Sequence, residues 1–131
     1  NHKKIIFIPF QQTNIIPIWY KSADILVLPN TGKQKVSTYY TSPMKLFEYM
    51  ASGVPIIASK ILSIEEIVNE NLVTFAEADN PKSFANMIES VLKNKNVSRS
   101  KALLSQKKSL EYTWLKRAEK IAKYIENFKN E

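Results

Sequence analysis

Four short apolar runs punctuate the first part of the chain. Ile5-Ile6-Phe7-Ile8 stops at Pro9, and Ile25-Leu26-Val27-Leu28 stops at Pro29. Val54-Pro55-Ile56-Ile57-Ala58 and Leu72-Val73-Thr74-Phe75 complete the set. None alternates apolar with polar positions. A strand with one wet face alternates, whereas a strand covered on both faces reads as a continuous apolar run, as in parallel sheets. The pattern therefore predicts four parallel strands.

Between these runs the spacing becomes helical. Ile15, Ile16, Trp19, Tyr20 and Ala23 make a short stripe. Met44, Phe47, Met50 and Ala51 make another, with Gly53 placed to end that helix. Ser63-Ile64-Glu65-Glu66 reads as a capping box. Asn80-Pro81 reads as a cap with proline in the first helical position, ahead of a stripe of Phe84, Met87, Ile88, Val91 and Leu92. Residues 93–100 (KNKNVSRS) read as a loop. Leu115, Ala118, Ile121, Ala122, Ile125 and Phe128 mark a long terminal helix. Alternating strands and helices imply an α/β, Rossmann-like, three-layer α/β/α fold with a mainly parallel sheet of about four strands.

Composition narrows the class. A chain of 131 residues, 44% apolar and 24% charged, suits one soluble domain with a real core. The absence of cysteine excludes disulfides and thiolate metal sites and agrees with a reducing, cytoplasmic setting. No Asp-x-Asp and no histidine cluster suggests a metal site; His2 is the sole histidine and stands at the start, away from any motif. The net charge of +7 is carried wholly by residues 81–131, because residues 1–80 balance seven lysines against seven carboxylates. A basic tail attracts an anionic membrane surface or nucleic acid, although a solvated helix face is the plainer reading. The tail has the apolar stripe of a packed element and no nucleic-acid motif. A solvated face is therefore the first expectation, with peripheral contact at the inner face of an anionic membrane as the alternative; nucleic acid is not expected.

In parallel sheets, ligands bind beyond the carboxyl ends of the strands. The longest such end here is the stretch after the second run, NTGKQKVSTYYTSP, which leads into MKLFEYMASG. Ser42 is placed to cap this helix and Pro43 to begin it. The amides of Met44, Lys45 and Leu46 would then be free, and a helix N-terminus with free amides favours phosphate. Water or a loop carbonyl would satisfy them equally well. Lys45 adds a cation. Glu48 could simply pair with Lys45 three residues away. Yet it sits beside Phe47 near the buried stripe, where an idle carboxylate is costly, and its two oxygens suit two adjacent hydroxyls such as those of a ribose.

Ala23-Asp24-Ile25-Leu26-Val27-Leu28-Pro29-Asn30, followed by Ser42-Pro43-Met44-Lys45-Leu46-Phe47-Glu48-Tyr49-Met50-Ala51-Ser52-Gly53-Val54-Pro55-Ile56-Ile57-Ala58-Ser59, resembles the C-terminal half of group 1 (family 4) glycosyltransferases with the GT-B fold. Glu65-Glu66-Ile67-Val68 and Tyr112-Thr113-Trp114-Leu115-Lys116-Arg117-Ala118 resemble later parts of the same half, so the likeness runs from about residue 5 to 128. It implies a donor site for a nucleoside-diphosphate sugar. Glu48 falls on the glutamate that holds the ribose, and Met44 and Lys45 fall on the amides that hold the diphosphate. Pro43, after Ser42, replaces the family's glycine. The family's first glutamate falls on Tyr40, which is no acid and leaves sugar recognition open. Asn30 lies at the strand end, and base contacts fall near Phe10 and Gln11. The resemblance further implies a retaining, metal-independent transfer to a saccharide or lipid-linked acceptor. It also implies that residues 1–131 are the later part of the donor domain. The Arg–Lys pair for the diphosphate and the acceptor domain with its catalytic histidine have no counterpart here, so this stretch alone is not expected to catalyse. A GT-B nucleotide-sugar epimerase and a non-catalytic α/β binding module are the alternatives.

Overall fold

The computed structural model describes residues 4–128. In chain order the elements are α1 (Ile16–Lys21), β1 (Leu26–Leu28), a π-helical turn (Val36–Tyr40), α2 (Met44–Ser52), β2 (Ile56–Lys60), α3 (Leu62–Glu65), β3 (Thr74–Glu77), α4 (Pro81–Lys93), α5 (Lys95–Ser109) and α6 (Trp114–Phe128). The strands form one parallel sheet in the order β1-β2-β3. Leu26 pairs with Ile56 and Ala58 with Phe75, so β2 is the central strand.

Successive side chains of a strand point to opposite faces. Ile56 and Ala58 of β2 accordingly join Leu28, Leu46, Met50, Ile64 and Val73 on one side of the sheet. Ile57 joins Ala76 and Val91 on the other. Both faces of β2 are sealed, which is why its sequence carries no polar alternation.

The first apolar run departs from expectation. Ile5–Ile8 joins no ladder among the described residues, and Ile6 and Phe7 are 81% and 92% exposed. The sheet has three strands there, not four. Apolar content marks a segment that would suit burial, but a strand forms only where a neighbour takes up its backbone hydrogen bonds.

Three helix boundaries also move. Pro43 is the N-cap of α2, with an extended backbone, and Ser42 is exposed and makes no capping bond. The buried side of α2 is Leu46 and Met50, flanked by Phe47 and Tyr49, while Met44 and Ala51 face solvent. Ser63 is not a cap either. Ile61 caps α3, and the Ser63 hydroxyl instead donates to the Ser37 carbonyl at 2.7 Å. Residues 95–100 are helical; only Asn94 separates α4 from α5. The expected stops and starts elsewhere hold. Gly53 closes α2 in the left-handed region at φ 73°, and its N–H donates to the Met50 carbonyl. Asn80 caps α4 by accepting from the Ser83 amide at 3.1 Å, with Pro81 first in the helix.

Candidate functional site

Beyond the carboxyl ends of β1 and β3, the long segment from Asn30 to Ser42 is pinned by polar contacts. The Gly32 amide donates to Asp79 Oδ2 at 2.9 Å. The Thr38 hydroxyl donates to the Gly32 and Gln34 carbonyls, and Thr41 to the Val36 carbonyl. With the Ser63–Ser37 bond these tie the segment to α3 and to the turn after β3. Asp79 adopts φ 56°, a backbone region that aspartate tolerates better than most residues. Hydrogen bonding from the Thr31 side chain, and then from the Gly32 amide, holds its carboxyl below the usual range.

The pinned segment delivers the chain to Pro43 and so to the start of α2. The Leu46 amide is already used, donating to the Pro43 carbonyl at 2.9 Å, which removes one of the three expected free donors. The Met44 and Lys45 amides have no partner among the described residues. They are the orphan donors that every helix start presents.

Lys45 and Glu48 do not form an ion pair. A phenol stands between them. The Tyr20 hydroxyl donates to Glu48 Oε2 at 2.7 Å, and Lys45 Nζ approaches the same hydroxyl at 3.4 Å and lies 5.9 Å from the ring centroid. Glu48 is itself exposed, so a desolvation penalty does not explain its presence. Tyr20 comes from α1, which packs against α2, and its ring meets Tyr49 edge-on with centroids 5.0 Å apart. Burial, and then the bond to Glu48, pushes the Tyr20 phenol well above its ordinary pKa. The sequence pattern puts Tyr20 in an apolar stripe and assigns no role to its hydroxyl. The available signal is its polar tip, since a half-buried tyrosine normally finds a hydrogen-bond partner.

A cleft of about 890 Å³ opens beside this group, lined among others by Phe10, Gln11, Trp19, Tyr20, Lys45 and Glu48. It brings together four of the nine sequence-predicted positions: Phe10, Gln11, Lys45 and Glu48. A second cleft of about 530 Å³ lies across the Glu48–Ala51 edge of α2, where Ser42, Met44 and Phe47 meet Tyr112, Trp114 and Arg117. The remaining three predicted positions line neither cleft. Pro43 is buried, Tyr40 is 80% exposed beside Tyr39, and the Asn30 amide is turned back to the Leu28 carbonyl. His2 lies outside the described residues. Among the described residues, no group of three His, Cys, Asp or Glu side chains could hold a metal, and no helix is long and apolar enough to cross a membrane.

The site thus combines a parallel sheet, a tethered strand-end segment, a helix start with two amides unpartnered among the described residues, and a carboxylate lining a cleft, and these define an α/β domain. Residues 1–94 match the family "Glycosyl transferases group 1", and the chain belongs to that family. It is 29% identical over 77 residues to TuaH of Bacillus subtilis (strain 168), which is assigned as a teichuronic acid biosynthesis glycosyltransferase; the match covers 59% of this chain and 19% of TuaH. The fold is similar to that of sucrose-phosphate synthase from Thermosynechococcus elongatus, with TM-score 0.78, 19% identity, 96% of this chain and 31% of that one. It is also similar to Anabaena HepE in complex with UDP, with TM-score 0.71, 18% identity, 86% of this chain and 30% of that one. The C-terminal domain of a group 1 glycosyl transferase, LpcC from Francisella tularensis, aligns with TM-score 0.63 at 23% identity over 84% of this chain and 53% of that one. The fold is thus the Rossmann-like α/β arrangement of GT-B glycosyltransferases. The chain spans about a fifth of TuaH and under a third of sucrose-phosphate synthase and HepE.

Proposed function

We propose that this chain is the donor-binding part of a glycosyltransferase that moves a sugar from a nucleoside-diphosphate sugar to a saccharide or lipid-linked acceptor with retention of configuration. One observation carries the reading. Glu48 shares a cleft with Lys45, Phe10 and Gln11, and stands one turn beyond the Met44 and Lys45 amides, which have no partner among the described residues. In this reading Glu48 accepts the ribose hydroxyls, Phe10 and Gln11 face the base, and the Met44 and Lys45 amides with the Lys45 side chain meet the diphosphate. Donors aimed at an oxygen that gains negative charge lower the barrier to its departure. Stabilising the leaving diphosphate is therefore what these residues contribute, and no metal is invoked. The acceptor and the rest of the catalytic machinery belong to other parts of the whole protein. The UDP bound by HepE makes a uridine donor the first to test.

A peripheral position at the inner face of an anionic membrane is a second part of the proposal. It is supported by α6, whose Leu115, Ile121, Ile125 and Phe128 are all at least half exposed while Lys116, Arg117, Lys120 and Lys123 lie on the same helix. An apolar stripe with interspersed cations suits a lipid interface. Neutralising Lys116, Lys120 and Lys123 should weaken binding to anionic vesicles and leave DNA binding unchanged; loss of neither removes the membrane reading.

The donor site is tested with Glu48→Ala in the full-length protein. Losing hydrogen bonds to a charged group, each worth about 1.5–3 kcal/mol, should lower sugar transfer about 100-fold without unfolding the domain. Near-wild-type transfer would remove Glu48 from the ribose role.

A further inference from the structure

We infer that Tyr20 is a positioning residue for the donor site: its hydroxyl fixes the Glu48 carboxylate so that the other oxygen is presented to the nucleotide's ribose. The inference rests on the donor-site reading above and assigns a role to a residue which that reading does not use.

The geometry is specific. Glu48 is an exposed glutamate on a helix, and such a side chain ordinarily samples several rotamers. Here Oε2 accepts the Tyr20 hydroxyl at 2.7 Å, a short charge-assisted contact, while Oε1 has no partner among the described residues. The phenol is anchored in turn. Its ring stands edge-on to Tyr49, and Lys45 Nζ lies 3.4 Å from its oxygen. A phenol has one hydrogen, and Lys45 approaches as a donor, so the hydrogen is directed to Glu48. The phenol remains protonated at working pH, because both burial and the neighbouring carboxylate oppose its ionisation.

This arrangement also couples two parts of the donor. Lys45 belongs to the diphosphate end and Glu48 to the ribose end. They meet through one hydroxyl rather than by direct pairing, which would neutralise both and withdraw Glu48 from the cleft. Tyr20 keeps the cation and the carboxylate close while leaving an acceptor oxygen free. Holding the acceptor in place before binding lowers the ordering cost that the nucleotide would otherwise meet.

The test is ribose discrimination in the full-length protein. Affinities are measured for UDP, GDP and ADP, and the tightest of the three is compared with its 2′,3′-dideoxy analogue. The variants are Tyr20→Phe, Glu48→Ala and the double change. The ribo-to-dideoxy affinity ratio should collapse to near one in Glu48→Ala and shrink about fivefold in Tyr20→Phe, as loss of one hydrogen bond of about 1 kcal/mol implies. Adding Tyr20→Phe to Glu48→Ala should leave the ratio unchanged. Partial unfolding lowers both affinities together and leaves the ratio intact, so a packing role for the ring is separated from a role for the hydroxyl. If Glu48→Ala collapses the ratio and Tyr20→Phe preserves it, Tyr20 only packs and the inference is wrong. If Glu48→Ala itself preserves the ratio, or none of the three nucleotides binds, the donor-site reading fails first.

Discussion

Helices α5 and α6 have equal length and opposite fates. α5 is polar along most of its length, yet it buries Ser98, Ala102 and Ser105 and packs against α2. α6 carries the clearest apolar stripe in the chain, yet buries no side chain. The difference lies in what each helix needs from a neighbour. Small residues let α5 approach closely, so backbone and side-chain stems supply the contact and large apolar residues are unnecessary. The stripe of α6 shows only that this helix suits a partner surface. Whether that surface exists within the same domain is not a property of the stripe.

Overfilling the α5 interface should break the comparison most forcefully. Ala102 is 2% exposed, and Ala102→Leu adds volume at a site closed to solvent against a neighbouring helix. We expect a loss of about 2 kcal/mol, read from the midpoint of chemical denaturation. An unchanged midpoint would mean that α5 is loosely seated.

Gly53→Ala attacks the same contact from the α2 side. A Cβ at Gly53 would stand 3.0 Å from the Gln106 side chain of α5, on a residue at φ 73°. Gln106 also donates to the Ala51 carbonyl at 3.1 Å. Left-handed strain of about 1–2 kcal/mol plus a displaced glutamine should lower the stability by about 1.5 kcal/mol. Gln106→Ala tested beside it separates strain from the lost hydrogen bond.

A smaller effect is expected where polar contacts do the holding. The Asp79 carboxyl is depressed below 3.8, so its contribution is complete above that value and disappears as pH falls through the lower folded value. Between pH 5 and 8 the tether to Gly32 should therefore be constant. The Gly32 amide shift, followed by NMR, should move only in acid below the ordinary carboxylate range, and Asp79→Asn should abolish that movement. Movement near neutrality would contradict the assignment.

On α6 almost nothing should change. Ile121→Ser and Ile125→Ser should each alter the stability of this chain by less than about 0.5 kcal/mol, the usual range for exposed sites. A loss of 2 kcal/mol would show that α6 folds back onto the domain in solution and would erase the contrast with α5.

Much of the candidate site is legible in the order of residues alone. Lys45 and Glu48 are three residues apart in a helix between two apolar runs, and local spacing puts them at one strand-end rim. Gly53 and Asn80-Pro81 mark helix boundaries because cap preferences act within a few residues. Tyr20 is not legible in the same way. Its partner is 28 residues away, and its ring satisfies an apolar pattern whether or not its hydroxyl is used. Ser63 misleads for a related reason: a serine followed by two acids suits a cap, but the Ser37 carbonyl captures its hydroxyl from across the fold.

The sequence by itself determined the α/β alternation, the apolar run that opens the central strand, the helix stops and the family to which the chain belongs, since each depends on residue preferences acting over a single turn or strand. Only the tertiary structure decided that Ile5–Ile8 stays off the sheet, that KNKNVSRS is largely helix, that α6 is left uncovered and that a phenol separates Lys45 from Glu48. Those outcomes depend on which distant groups arrive as neighbours, and a hydrogen bond or a packed face exists only when its second half is present.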